Sequence, residues 1–159
     1  MAFNNNKKGN SALLTKKNYS NIVPDSQLKM CHTFGMNIVV TICSKHKDNS
    51  PKLLPASKRY ISEHIRKAEV IAKDLQLPFF ILSGKYGLLA TDEMIPNYDQ
   101  YLEIEAVDSL VKVVEAQLKT LHVTEVDYYM EDKESWIPYD MTLKKATDLA
   151  GVFLRVHQL

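Results

Sequence analysis

The sequence predicts an α/β fold: a small, open, mostly parallel, Rossmann-like sheet in three layers, with helices on both faces. Two observations carry this reading. The runs Asn37-Ile38-Val39-Val40-Thr41-Ile42 and Pro78-Phe79-Phe80-Ile81-Leu82 are almost continuously apolar, the mark of strands buried on both faces. Apolar residues recur at helical spacing between and after them, so strands and helices alternate. That alternation is how parallel sheets with right-handed crossovers are built.

Each element follows in order. Residues 1–35, rich in Asn, Lys and Ser, read as a flexible N-terminal tail, and residues 36–159 as a single α/β domain. After the first strand, a polar loop from Cys43 leads to Ser57, a candidate N-cap for a helix reaching about Leu75. Ile61, Ile65, Ala68, Ala72 and Leu75 would form its buried stripe. Lys58, Arg59, Arg66, Lys67 and Lys73 would face outward.

The second strand is followed by a long loop, Ser83 to about Tyr101, of a length usually reserved for binding or covering a ligand. A second amphipathic helix spans about Glu103 to Leu121, with Leu110, Val114, Leu118 and Leu121 in line and Gln117 interrupting them. Glu125 to Met130 alternates more than the first two strands, which places it nearer an edge. A last helix runs from about Met141 to His157, burying Leu143, Ala146, Leu149, Ala150, Phe153 and Leu154. Three strands are few for such a sheet; the tail or a second copy of the chain would supply a fourth.

Composition narrows the function classes. The chain has 159 residues, 45% of them hydrophobic and 25% charged, with 5 Gly and 6 Pro, which argues against disordered and collagen-like chains. No apolar run approaches the roughly 18 residues of a membrane span. A net charge of +1 provides no global field for nucleic acid. Cys31 and Cys43 are too few for a disulfide framework and fit a reducing, cytoplasmic setting.

In open parallel sheets, ligands bind beyond the carboxyl ends of the strands. This rule selects the loops beginning Cys43-Ser44-Lys45-His46-Lys47, Ser83-Gly84-Lys85-Tyr86-Gly87 and Glu131-Asp132-Lys133-Glu134. In the second, Gly84 and Gly87 permit unusual backbone and close approach of a ligand. Exposed amides and Lys85 suit an anion, and Tyr86 suits a ring. The spacing is neither a P-loop nor a dinucleotide fingerprint, and no cofactor is expected. Cys43, beside Lys45, His46 and Lys47, is either an activated thiol or, more simply, a buried structural one. Cys31-His32 with Cys43 and His46 matches no zinc spacing, so no metal is expected.

The stretch Ile81-Leu82-Ser83-Gly84-Lys85-Tyr86-Gly87-Leu88-Leu89, then Ile95-Pro96-Asn97-Tyr98-Asp99 and Tyr101-Leu102, resembles a small bacterial and phage family of uncharacterised domains. The strand ending Thr41-Ile42-Cys43-Ser44-Lys45 fits it too. That family is similar to part of the peroxide-stress protein YaaA, and a related domain occurs in archaeosine synthase, a tRNA-modifying enzyme. The resemblance implies a Rossmann-like fold and a shared pocket that includes Tyr98 and Asp99.

Residues and resemblance together lead to one expectation and its rival. The first is an enzyme acting on a nucleoside, nucleotide or nucleobase-like ligand by glycosidic or group-transfer chemistry. Asp99, Lys85 and Ser83 are its candidate catalytic residues, and Ser44, Lys45, Gly84, Tyr86, Gly87 and Tyr98 its ligand contacts. The rival is a non-catalytic nucleic-acid-binding or stress-response module, using the basic residues of the first helix. A homodimer completing its sheet is a third arrangement.

Overall fold

A computed structural model describes residues 35–159; the expected tail, with Cys31 and His32, lies outside the described residues. The strands are β1 (Met36–Ile42), β2 (Leu54–Pro55), β3 (Phe79–Ser83), β4 (Gly87–Ala90), β5 (Met94–Ile95), β6 (Val123–Met130) and β7 (Phe153–Gln158). The helices are α1 (Ala56–Arg59), α2 (Glu63–Leu75), α3 (Val107–Thr120) and α4 (Ile137–Ala150). Short 3₁₀ turns at Ile104–Ala106 and Glu134–Trp136 lead into α3 and α4.

The main sheet has the order β4-β3-β1-β6-β7. β3, β1, β6 and β7 run parallel, and β4 folds back antiparallel on β3. β2 and β5 form a separate antiparallel pair. From β1 the chain steps one way to β3, then reverses past β1 to β6 and β7. Right-handed crossovers therefore set α2 on one face and α3 with α4 on the other. The contacts agree: α2 packs on β1 and β3, and α3 packs on α4, β4 and β6. Ile38, Val39, Val40, Ile81 and Leu82 are fully enclosed, as continuous apolar strands covered on both faces should be.

Several expectations need correction. The first helix is broken: Tyr60 is extended (φ −88°, ψ 118°) and α2 restarts after Ser62. Two backbone groups at the break pair elsewhere, since Asp48 N–H donates to Arg59 C=O and Ile61 N–H to His46 C=O. As a result Ile61 and Leu75 are exposed, and Arg59, expected outside, is 0% exposed. The loop after β3 is not plain loop but holds β4 and β5. β6 is no edge strand, being flanked by β1 and β7.

The last helix ends early. Gly151 takes a left-handed conformation (φ 68°), with Gly151 N–H donating to Asp148 C=O and Val152 N–H to Thr147 C=O. This Schellman closure stops α4. Phe153 and Leu154, expected on its buried face, belong to β7, where Phe153 is 60% exposed. The additional strands of the sheet are thus β4 and β7, both read as something else.

Gln117, the polar break in the α3 stripe, has a structural task. Its Oε1 accepts from Leu88 N–H (2.7 Å), and its Nε2 donates to Leu88 C=O (3.1 Å) and Tyr86 C=O (3.2 Å). A side-chain amide thus replaces the missing neighbour strand along β4, blunting a sheet edge. Gly87, at φ 74°, leaves room for it; a Cβ there would collide with Gln117 Oε1. Gly87→Ala combines backbone strain with that collision, so a loss of about 2 kcal/mol or more is expected in urea unfolding. Arg59→Met leaves four carbonyl acceptors without their donor (below), and a loss of about 3 kcal/mol is expected in the same measurement.

Candidate functional site

The site grows from the carboxyl ends of β1 and β3. Arg59 organises one side of it. Its Nη1 donates to Asp48 C=O and to Ser50 C=O (3.0 Å), and its Nη2 to Lys52 C=O and Ile95 C=O (3.4 Å). Only Nε finds no acceptor. Among the described residues no carboxylate pairs with this guanidinium. It therefore spreads its charge over the loop after β1 and over β5. The same loop is held by an isolated antiparallel bridge between Lys47 and Tyr60.

These constraints leave a cleft of about 560 Å³, lined by Lys45, His46, Lys47 and Asn49 from one loop. Asn97, Tyr98, Asp99 and Tyr101 close it from the segment after β5. That size suits a small organic ligand.

Tyr98 is the hub. Its hydroxyl lies 2.9 Å from Ser83 Oγ and hydrogen-bonds Tyr60 Oη. Ser83 is fully buried at the end of β3 and accepts from Lys85 N–H and Tyr86 N–H. Tyr60 and Tyr86 both meet the Tyr98 ring edge to face, with centroids 6.4 and 5.4 Å away. Lys47 Nζ stands 4.7 Å from the Tyr98 centroid and Lys85 Nζ 5.2 Å. Lys45 Nζ is 5.8 Å from that of Tyr101. Contacts of this kind hold a cation on a ring without neutralising it. No carboxylate pairs with Lys45, Lys47 or Lys85 among the described residues; Lys45 and Lys47 line the cleft together with the single carboxylate of Asp99.

Burial sets the protonation states. The Tyr98 hydroxyl is pushed up to about 12, chiefly by desolvation, although hydrogen bonds from Ser83 and Tyr60 pull it down. Tyr60, more deeply enclosed, is pushed higher. Both are hydrogen-bond donors at neutral pH, and Tyr98 is the easier of the two to ionise. Burial also raises the Cys43 thiol, outweighing the Gly84 and Tyr139 hydrogen bonds and nearby Lys47. Cys43 sits 3.6 Å from Tyr139 Oη. Of its two readings, the structural thiol fits these surroundings.

The expected residues divide by position. Ser83, Lys85, Tyr86 and Tyr98 converge, with Lys45 and Asp99 on the cleft wall; Asp99 is exposed. Ser44 is buried, and its hydroxyl donates to His46 C=O within its own turn. A Cβ on Gly84 would meet Leu102 Cβ at 3.0 Å and Tyr139 Oη at 3.1 Å, so its missing side chain serves packing. The free space at Gly87 belongs to Gln117. The third loop pairs with itself, Lys133 to Glu131. Sequence reasoning missed Tyr60, Asn49 and Arg59. Arg59 and Tyr60 lay inside an apparently continuous helix, and only the polar, Pro-containing loop before them hinted at pairing.

No curated protein and no solved structure matches the chain. Residues 38–133 match a family described as being of unknown function, DUF6884. The matched span is well over half the chain and takes in every residue that lines the cleft. The chain belongs to this family of unknown function, DUF6884.

Proposed function

We propose that the protein is an enzyme acting on a phosphate-bearing nucleoside-like ligand held in the Lys45–Tyr101 cleft. One observation carries this reading: Lys45 and Lys47 line one cavity and Lys85 stands on the Tyr98 ring at its wall, each on a tyrosine ring and none paired with a carboxylate among the described residues. Cations kept free of carboxylates recognise an anion, and ring faces beside them suit a base. The resemblance of Ile81–Leu89 and Tyr98-Asp99 to YaaA, and of the strand end to a domain of a tRNA-modifying enzyme, supports a nucleoside-like ligand.

Within this reading the lysines bind the phosphate, and Tyr86 and Tyr101 pack against the base or sugar. Tyr98, protonated at neutral pH and backed by Ser83 and Tyr60, donates a hydrogen bond to an oxygen or nitrogen that gains charge. Asp99, one residue on and exposed, accepts a proton from an attacking hydroxyl in glycosidic or group-transfer chemistry. No step requires a metal or an organic cofactor.

The rival reading, a nucleic-acid-binding or stress-response module, loses support at the first helix. Arg59 is buried and Lys67 is paired with Glu63 at 3.2 Å, leaving Lys58, Arg66 and Lys73 as scattered charges.

Calorimetry against a panel of nucleoside mono-, di- and triphosphates tests the proposal. Lys47→Ala and Lys85→Ala are each expected to weaken binding by about tenfold or more, as loss of a charged hydrogen bond does. Wild-type affinity of both variants across the panel would remove the assignment. Asp99→Asn is expected to keep affinity within a few-fold while turnover of the bound nucleotide is lost. Affinity for long DNA or RNA that collapses with added salt, with no nucleotide binding, would favour the rival.

A further inference from the structure

A second cluster of reactive groups stands outside the cleft. His64 is almost completely buried in the first turn of α2. Its Nε2 lies 3.0 Å from Ile42 C=O at the carboxyl end of β1. A carbonyl only accepts, so Nε2 carries a proton, and in the neutral ring Nδ1 is the bare nitrogen. Ser62 Oγ is 2.5 Å from Nδ1 and donates to it.

Two features set this pair apart from an ordinary helix start. Ser62 occupies the N-cap position of α2, yet its hydroxyl makes no capping bond to the helix backbone; it is turned to the imidazole instead. The ring is also clamped on its other side by Trp136, 4.9 Å away and steeply inclined. Desolvation lowers the His64 pKa; Ile42 C=O and Glu131 oppose this, and Lys133 reinforces it. The ring is thus neutral near pH 7 and available as a base.

A hydroxyl on the bare nitrogen of an imidazole whose other nitrogen is anchored is the arrangement of an activated serine. Here a backbone carbonyl takes the orienting place usually held by a carboxylate. A hollow of about 540 Å³ starts at Glu63, the next residue, and runs between α2 and the end of β7. Val70, Ile71 and Leu159 line it with apolar surface, and Arg66 and Lys67 stand among its polar lining.

We infer that Ser62 and His64 form a second reactive centre, a serine nucleophile with its base, that accepts acyl groups from carboxylic esters with apolar acyl chains. Ser62 Oγ bonds to the acyl carbon while His64 Nδ1 takes the hydroxyl proton. The ester C–O bond then breaks, and the departing alcohol takes that proton from His64. Water hydrolyses the acyl-serine by the same route, releasing the carboxylic acid and restoring the hydroxyl.

The test uses the full chain with a fluorophosphonate probe, read by intact mass and peptide mapping, and with p-nitrophenyl butyrate as ester. The expected result is one adduct per chain on Ser62, with loss of fluoride. Ser62→Ala, at a partly exposed position, is expected to abolish both labelling and ester turnover while circular dichroism shows it folded. His64→Gln is expected to slow labelling at least tenfold while circular dichroism shows it folded. Should it unfold, mapping of the wild-type adduct still decides. No adduct on the wild type, an adduct on another residue, or unchanged labelling of folded His64→Gln would overturn the inference. Nucleotide binding in the cleft is independent of every one of these outcomes.

Discussion

A fully buried guanidinium with no carboxylate beside it among the described residues is the constraint on which this end of the molecule depends. Burying a charge is very costly unless hydrogen-bond acceptors replace its water. Arg59 meets that demand with backbone oxygens from Asp48, Ser50, Lys52 and Ile95. Loops ordinarily leave such carbonyls to solvent. Here the loop after β1 and the β5 strand curl around one side chain, and the cleft takes its shape from the result. The same anchoring ends α1, because the chain beyond Arg59 must turn to pair with residues 46–48.

The fold class was legible because it rests on bulk burial. A continuous β-branched or aromatic run can satisfy its backbone only in a sheet, and its side chains only under helices, so β1 and β3 and the core stripe of α3 were readable. The elements that spacing does not reveal depend on pairing across the sequence. Ile61 keeps helical phase with Ile65 and Ala68 although it lies in the break before α2 restarts, so their spacing does not signal that break. Only the distant donors and acceptors of His46 and Asp48 make it. β7 was hidden by a run that continues the apolar spacing of α4, although Gly151 was the available signal for a stop. β4 was hidden by the glycines around it, and its edge is completed by Gln117, whose apparent misplacement in an apolar stripe was the trace of that role.

The candidate site divides along the same line. Ser83, Lys85, Tyr86, Tyr98 and Asp99 were identifiable because strand ends in a parallel sheet point at one crevice and because a resemblance marked that segment. Tyr60 was not, being a residue of a presumed helix. Its hydroxyl nevertheless completes the Ser83–Tyr98 chain and, with Ser83, opposes the rise that burial imposes on the Tyr98 hydroxyl. Gly84 and Gly87 show a different limit. Both were read as room for a ligand, and both turn out to give room to protein atoms, Leu102 and Tyr139 in one case and Gln117 in the other. A glycine in a sequence announces close approach, not the identity of what approaches.

Sheet order explains why the cleft and the Ser62–His64 pair sit so near each other. The strand order reverses at β1, which puts the topological switch point between β1 and β6. The cleft uses the side of β1 toward β3, through the loop that begins at Ser44. Its partner cluster uses the Ile42 carbonyl at the end of the same strand, with Glu131 and Lys133 from the end of β6 facing His64. The short break between α1 and α2 supplies Tyr60 to one and Ser62 to the other. Such a break cannot be helical, since Tyr60 must reach Tyr98 while Ser62 must leave its hydroxyl free for His64. Arg59, immediately before it, is what makes the non-helical path stable. The cleft and the Ser62–His64 pair therefore share a scaffold without sharing a side chain.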